Sequence, residues 1–269
     1  HSTDEYLSKH EYWQQRYRQP SKDLSFDWFV ESPEILDFIL HSMKHSSQGM
    51  HTHQLSGKKQ SVSCLDLGCG TSSVWRSILA NSPVPVRLVL LDFVQEALHY
   101  QKQHVNTAAA AVPESCCHLV CADVTNLPFA DGSFHLAMDK GTMDALLKDR
   151  SRAHTQAIAM MSEVDRTLTP GGRFLQISDE DPDARLVFLD SLSRTRCHVS
   201  DSQAFPGPVY VPALDSQCCP VSMNTSVDSS SSDSTSTVPA SGSLFSTWSF
   251  QVIASRWHRE YFLYWKDKL

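Results

Sequence analysis

The chain has little glycine, 10 in 269 residues, so each glycine that clusters is informative. It has no run of 18 apolar residues, which excludes a transmembrane helix, and no visible secretory signal. It has no excess of positive charge. Lys and Arg total 23 against 30 Asp and Glu, a formal net charge of −7, and a dedicated nucleic-acid binder needs the opposite balance to neutralise phosphates. It has no C-x-x-C spacing. Its 8 cysteines include Cys64 in an apolar run, Cys69 between two glycines, Cys121, Cys197 and the adjacent pairs Cys116-Cys117 and Cys218-Cys219. Reduced thiols in an intracellular compartment are therefore expected rather than four disulfides. His51 and His53 flank a threonine in a polar stretch and read as loop residues, so no metal site is expected. The chain opens on His1 rather than Met. An N-terminal piece is expected to have been removed, and a cleaved targeting peptide is one form this takes.

What is present is an ordinary globular share of apolar residues, 41%, with 20% charged, which excludes disorder of the whole chain. Residues 4–18 carry Tyr6, Tyr12, Trp13 and Tyr17 among charges and predict a short amphipathic helix. Phe26-Asp27-Trp28-Phe29 is an aromatic cluster before a second helix over 32–44, with Ser32 as cap and Pro33 in its first turn. Residues 45–60 read as a loop. An alternation then begins. Strands are expected at 61–67, 86–91, 118–121, 134–138 and 173–177, and helices at 72–80, 94–105, within 140–168, and from 183 to about 193. Pro170-Gly171-Gly172 reads as a sharp turn before the fifth strand. This order implies a parallel sheet with right-handed crossovers. Residues 196–245, rich in Pro and then in Ser, Thr and Asp, cannot bury enough apolar surface to offset their ordering entropy and read as a mobile insertion. Residues 248–254 and 260–266 read as a terminal antiparallel hairpin. The expected division is an N-terminal helical and aromatic cap (1–45), a catalytic core (46–195), the insertion (196–245) and the hairpin completing the sheet (246–269).

Leu65-Asp66-Leu67-Gly68-Cys69-Gly70-Thr71-Ser72-Ser73 places two glycines between the first strand and the first helix. There the backbone can approach a ligand closely at the carboxyl edge of the sheet. A dinucleotide fingerprint would put Gly or Ala where Ser73 stands. Asp66 would also repel a pyrophosphate, whereas a sulfonium or an ammonium tolerates it. The reading therefore moves from NAD towards S-adenosylmethionine. Asp92 ends the second strand, where a carboxylate accepts both ribose hydroxyls. Asp123 ends the third, within reach of an adenine amino group, and Asp139 ends the fourth.

The run LDLGCGTSS, LLDF, CADV, DKGT, PGG and SDEDPD resembles the class I, seven-strand, S-adenosylmethionine-dependent methyltransferases. The YW and FDWF aromatics with Asp139-Lys140-Gly141-Thr142 resemble the protein-lysine methyltransferases that act on translation elongation factor and on mitochondrial citrate synthase. GCGTSS, DKGT-x-D and SDEDPD-x-RL are most similar to the citrate synthase type. The resemblance implies a doubly wound, mostly parallel seven-strand α/β sheet with S-adenosylmethionine as cofactor. It implies that Gly68 and Gly70 line the methionine part, with Asp66 and Cys69 also at the cofactor, that Asp92 takes the ribose, and that Asp123 with Val124 takes the adenine. Phe93 flanks that ring or packs in the core; Trp28 closes over the cofactor or anchors the N-terminal helix. Asp139 lies at the cofactor where the reacting amine arrives, as a holding group or a base through water. Thr142 caps the next helix or touches substrate. Lys140 is expected in a structural ion pair. Asp179, Glu180 and Asp181, with Asp183, form an acidic mouth for a cationic lysine and also begin a helix.

By the same resemblance the substrate is a lysine of citrate synthase and the location mitochondrial, with no nucleic-acid or membrane partner and a monomeric chain. Two other readings stand beside it. One is methylation of another protein or a small molecule, and the other is a non-catalytic nucleoside-binding module. An NAD oxidoreductase is a more remote third.

Overall fold

The structure, a computed structural model, describes residues 4–18, 25–48, 61–109, 114–194, 209–211, 247–256 and 259–268. The 45–60 loop beyond Gln48, with His51 and His53, and the 196–245 insertion except Val209–Val211 lie outside them, as do Cys197, Cys218 and Cys219. The elements are α1 (His10–Arg18), α2 (Ser32–Gln48), β1 (Val62–Leu67), α3 (Val74–Asn81), β2 (Val86–Asp92), α4 (Gln95–Ala109), β3 (Cys116–Cys121), β4 (Phe134–Lys140), α5 (Thr142–Leu146), α6 (Ala153–Thr167), β5 (Leu168–Ser178), α7 (Pro182–Arg194), β6 (Val209–Val211), β7 (Ser249–Arg256) and β8 (Arg259–Asp267).

One sheet runs β6-β3-β2-β1-β4-β5-β8-β7. Strands β3, β2, β1, β4 and β5 are parallel, while β8 and β7 add antiparallel on one side. The seven expected strands are present, and Val209–Val211 adds a short eighth, antiparallel to β3. Burial on both faces explains why β1 and β2 read as near-continuous apolar runs. Val62, Cys64, Leu88, Leu90, Leu136 and Met138 pack under α2, α3 and α4, while Leu65, Leu67, Val89, Leu91 and Ala137 pack under α5, α6 and α7. The strand order reverses between β1 and β4, the switch point where such sheets bind ligands.

Three local readings needed correction. The first helix is interrupted. Glu5–Ser8 form a 3-10 turn, Lys9 is extended, and α1 follows; Trp13 Nε1 closes the break by donating to Leu7 O at 2.7 Å. The Pro170-Gly171-Gly172 segment is not a turn ahead of β5 but a bulge within it, between the pairs Phe134–Leu168 and Leu136–Arg173. Gly171 N–H donates to Lys268 O and Lys268 N–H to Gly172 O, both at 2.8 Å, which ties the bulge to the end of the chain. The 196–245 segment, read mostly as a mobile insertion and without a strand, contributes β6.

The aromatic cap is fastened by a buried ion pair. Lys140 Nζ donates to Asp27 Oδ1 at 2.8 Å and to Trp28 O at 3.3 Å, with the two side chains only 9% and 12% exposed. Asp27 also accepts from Ser72 Oγ and, at 3.0 Å, from Ser73 Oγ. Burial pushes the Asp27 carboxyl up, but the Lys140 charge and these bonds outweigh it and hold it below its ordinary value. Lys140→Met should lower stability by about 3 kcal/mol, because it strands a buried carboxylate. The double variant with Asp27→Asn should recover part of that loss. Urea unfolding of the three variants checks this, and additive losses would show that the pair is not coupled.

Candidate functional site

A cavity of about 340 Å³ lies at the carboxyl ends of β1, β2 and β4, within the size range of small-molecule sites. It brings together ten residues singled out in the sequence: Trp28, Asp66, Gly68, Cys69, Gly70, Asp92, Phe93, Asp123, Val124 and Thr142. It does not bring in Asp139, Asp179, Glu180 or Asp181.

The glycine loop is held on every side. Gly68 and Gly70 have φ of +67° and +50°, the left-handed region that favours glycine. A Cβ on Gly68 would overlap Thr142 Oγ1, and one on Gly70 would stand 2.8 Å from Tyr17 Oη. Thr142 Oγ1 donates to Leu67 O at 2.8 Å, so it latches the end of β1 to the start of α5. Gly70 N–H donates to Asp92 Oδ2 at 2.8 Å, and Val94 N–H to Oδ1 at 2.8 Å. Behind the loop sits Gln101, fully buried on α4. Its Nε2 donates to Gly70 O and Ser72 O, both at 2.9 Å, and its Oε1 accepts from Trp75 Nε1 at 2.8 Å. Sequence reading passed over Gln101. Its signal was a lone amide on the buried side of an amphipathic helix facing a glycine loop.

Further cavity residues come from the N-terminal segment, among them Lys9, His10, Trp13 and Tyr17. His10 meets the Phe93 ring edge-on at 5.1 Å, and Trp13 stacks on Tyr17 at 5.9 Å. The segment is pinned by Arg18 to Glu96 at 2.6 Å and by Lys9 to Asp149 at 3.4 Å. Nothing in its sequence says which surface it covers, so these residues were legible only as a helix with aromatics.

The acids have different surroundings. Asp66 and Asp92 are buried in the cavity wall. Burial pushes the Asp66 carboxyl up to about 7 and the Asp92 carboxyl up to about 6, although Lys140 eases the first and the Val94 and Gly70 amides ease the second. Asp123 Oδ1 accepts from Thr125 N–H and Oγ1, both at 2.8 Å, and Oδ2 takes no hydrogen bond among the described residues. Asp139 was expected to meet the reacting amine, and its placement differs. Alternation along β4 sends it to the other face from Met138 and Lys140, since it pairs with Leu67 while Met138 pairs with Asp66. Fully buried there, it accepts from Thr142 N–H at 2.8 Å, from Met143 N–H at 3.3 Å and from Gln176 Nε2 at 2.8 Å. It thus holds the start of α5; burial pushes its carboxyl up to about 7.

The acidic run after β5 lies beside the cavity rather than in it. Asp179 pairs with Arg259 at 3.3 Å. Asp181 Oδ1 accepts from Asp183 N–H at 2.9 Å and begins α7, as its sequence context led one to expect. Glu180 is exposed, and its carbonyl accepts from Tyr264 Oη at 2.7 Å. The run is anchored by a buried ion pair between Arg185 and Asp144, with Ser178 Oγ donating to Asp144 Oδ1 at 2.8 Å.

This donor set suits a cationic nucleoside. Carboxylates at the ends of β1 and β2 face the cavity, and the Cys69, Gly70 and Ser72 N–H groups are bonded within the protein, which would repel phosphate and attract a sulfonium, an ammonium and ribose hydroxyls. Among the described residues no cluster of His, Cys, Asp or Glu could hold a metal ion, and no helix is long and apolar enough to cross a membrane. Cys64, Cys69, Cys116, Cys117 and Cys121 are free thiols.

Comparison with known proteins points the same way. Residues 65–176 match the family model described as a methyltransferase domain. The mitochondrial citrate synthase-lysine N-methyltransferase of Pongo abelii is 31% identical over 68% of this chain and 75% of its own. That of Danio rerio is 32% identical over 62% of this chain, and the chain spans 63% of its length. The eEF1A lysine and N-terminal methyltransferase of Homo sapiens is 28% identical over 62% of this chain and 21% of its own length. Among solved structures, the N-methyltransferase NodS of Bradyrhizobium japonicum, in complex with S-adenosyl-L-homocysteine, shares the fold over 96% of this chain and 97% of its own, with a TM-score of 0.52 and 11% identity.

Two predictions follow from the geometry. Gly68→Ala should weaken S-adenosylmethionine binding by about tenfold or more, because the new methyl must displace Thr142 and force a left-handed backbone. Adding Thr142→Gly should restore part of the affinity, and calorimetry on both proteins checks this. The second concerns pH. The carboxyls of Asp66 and Asp92 ionise near 7 and 6, and only the ionised forms attract a cation. Affinity for S-adenosylmethionine should therefore rise with pH through that window, with protons released on binding. Without cofactor the sign is opposite. A carboxyl whose folded pKa is raised keeps a proton that the unfolded chain gives up near pH ~4, so stability falls as pH rises above that. Calorimetry in buffers of different ionisation enthalpy and melting curves at low and neutral pH test both signs.

Proposed function

Because the chain belongs to the S-adenosylmethionine-dependent protein-lysine methyltransferases, the family that includes the citrate synthase-lysine N-methyltransferases, we propose that its substrate is a lysine side chain of a mitochondrial protein, citrate synthase first among the candidates. The observation that carries this reading is the asymmetry of the cavity. Acids line it along β1 and β2, while over β4 and β5 Ile35, Ile39, Met138 and Ile177 form an apolar wall beside the Lys140–Asp27 pair. The relatives named for citrate synthase reach 31% and 32% identity, against 25% to 28% for those named for eEF1A, which favours the first substrate.

The cofactor supplies a methyl group on a sulfonium cation. In this reading Asp66 and the Gly68-Cys69-Gly70 backbone hold its methionine part, Asp92 its ribose, and Asp123 with Val124 its adenine, which Phe93 flanks. Trp28 closes the cavity from the cap. A substrate lysine is protonated in water, with a pKa of ~10.4. The acidic run Asp179, Glu180 and Asp181 attracts it from solvent. The apolar wall then desolvates it and favours the neutral amine. Asp139 and Thr142 act by holding α5 and the Lys140-Gly141 peptide in place, a positioning role. Residues 1–45 serve as a cap on the 46–195 core, and 246–269 complete its sheet.

Labelled S-adenosylmethionine added to mitochondrial and cytosolic extracts, with recombinant citrate synthase as a further substrate, tests this by mass spectrometry. Label on a citrate synthase lysine is expected. Label on cytosolic elongation factor alone would move the substrate, and label confined to small molecules would refute lysine methylation. Asp92→Ala should abolish labelling while the protein stays folded.

A further inference from the structure

One side chain in the cavity wall is left unsatisfied by the protein. Gln156, in the first turn of α6, lines the cavity, and its Oε1 is buried without a hydrogen-bond partner. Among the described residues it is the one buried, unpartnered side-chain atom that belongs to a cavity residue. Native proteins pair nearly all buried polar groups, so an exception in a ligand site points to the ligand.

Packing places this side chain at the adenine end. Residues 123–131 leave the carboxyl edge of the sheet after β3 and run beside α6. Glu163 Oε2 accepts from Leu127 N–H at 2.6 Å, Arg166 Nη1 donates to Phe129 O at 2.6 Å, and Gly132 N–H donates to Arg166 O at 3.0 Å. The two segments therefore descend in step. Gln156 precedes Glu163 by seven residues, two helical turns, and lies on the same face. It is thus nearer the carboxyl edge, level with the start of the 123–131 segment. Asp123 and Val124 line the same cavity there. Thr125 occupies Asp123 Oδ1, which leaves Oδ2 for a ligand.

The two side chains differ in what they can bond. An ionised Asp123 offers acceptors alone. A carboxamide offers an acceptor and a donor side by side, and its soft terminal torsion can present either atom. That pair matches one edge of adenine: N6 donates to the oxygen, and N7 accepts from the nitrogen. The other N6 hydrogen remains for Asp123. A purine with oxygen at position 6 would set its carbonyl against the carboxylate. Resting on the adenine placement proposed above, we infer that Gln156 is a specificity-determining residue of the cofactor site, reading the N6 and N7 edge of adenine while Asp123 takes the second N6 hydrogen.

The probes are S-adenosylhomocysteine and its 7-deaza analogue, in which a C–H replaces N7. Calorimetry in mildly alkaline buffer measures both against the wild-type protein, Gln156→Leu, Gln156→Glu and Asp123→Ala. The wild-type protein should prefer S-adenosylhomocysteine by about fivefold, the effect of one neutral hydrogen bond. Leu at 156 removes donor and acceptor at similar volume, so the preference should fall below about twofold. Ionised Glu keeps an acceptor for N6 but has no donor for N7, so the preference should fall equally; it decides if the Leu variant fails to fold. A wild-type protein without the preference overturns the inference. So does a preference kept in either folded variant, because a structural Gln156 would weaken both ligands alike. Asp123→Ala tests the placement separately. Unchanged affinity in that variant fails the placement, and a preference lost at 156 then still leaves Gln156 reading the base. Weakened binding in Asp123→Ala, with the preference intact in the 156 variants, fails Gln156 alone.

Discussion

A strand shows each face every second residue, and at the switch point between β1 and β4 this alternation decides which side chains can reach a ligand. Asp66 and Met138 are paired neighbours on the cavity face, and Lys140 and, at the end of β2, Asp92 line the cavity as well. Asp139 is one residue out of phase and faces α5. The rest of the site follows from that parity. Once Asp66 and Asp92 are turned inward, the backbone between β1 and α3 must pass close to both, and Gly70 donates to Asp92 while Gln101 holds its carbonyl from behind.

Two buried ion pairs tie distant parts of the chain together. Asp27 with Lys140 fastens the N-terminal aromatics to the end of β4. Asp144 with Arg185 fastens the start of α5 to the segment after β5. Pairs of this kind contribute little net stability against an apolar alternative, yet breaking one is costly. Their effect is geometric. The stretches Asp139 to Asp144 and Ser178 to Arg185 meet through the second pair. Their ion pair and hydrogen bonds hold the two loops in fixed relation.

The cap shows how little local pattern says about direction. Tyr6, Trp13 and Tyr17 mark an amphipathic segment in any sequence reading, but Tyr17 standing over Gly70 and His10 against Phe93 are contacts across some 50 to 80 residues. Gln101 is similar: a polar residue on a helix is ordinarily a solvated one, and only the packing of α4 against the glycine loop gives it three partners.

The sequence by itself determined the alternation of strands and helices, the glycine loop, the acids at the ends of β1 to β3 and the capping role of Asp181. These depend on local spacing: a run buried on both faces, a turn that admits only glycine, a carboxylate next to free N–H groups. Tertiary structure alone decided that Asp139 turns away from the cavity, that Pro170-Gly171-Gly172 bulges within β5, that Val209–Val211 joins the sheet, and that Gln156 lines the cavity. Strand parity beyond a bulge and pairing between segments far apart are set by the packed whole.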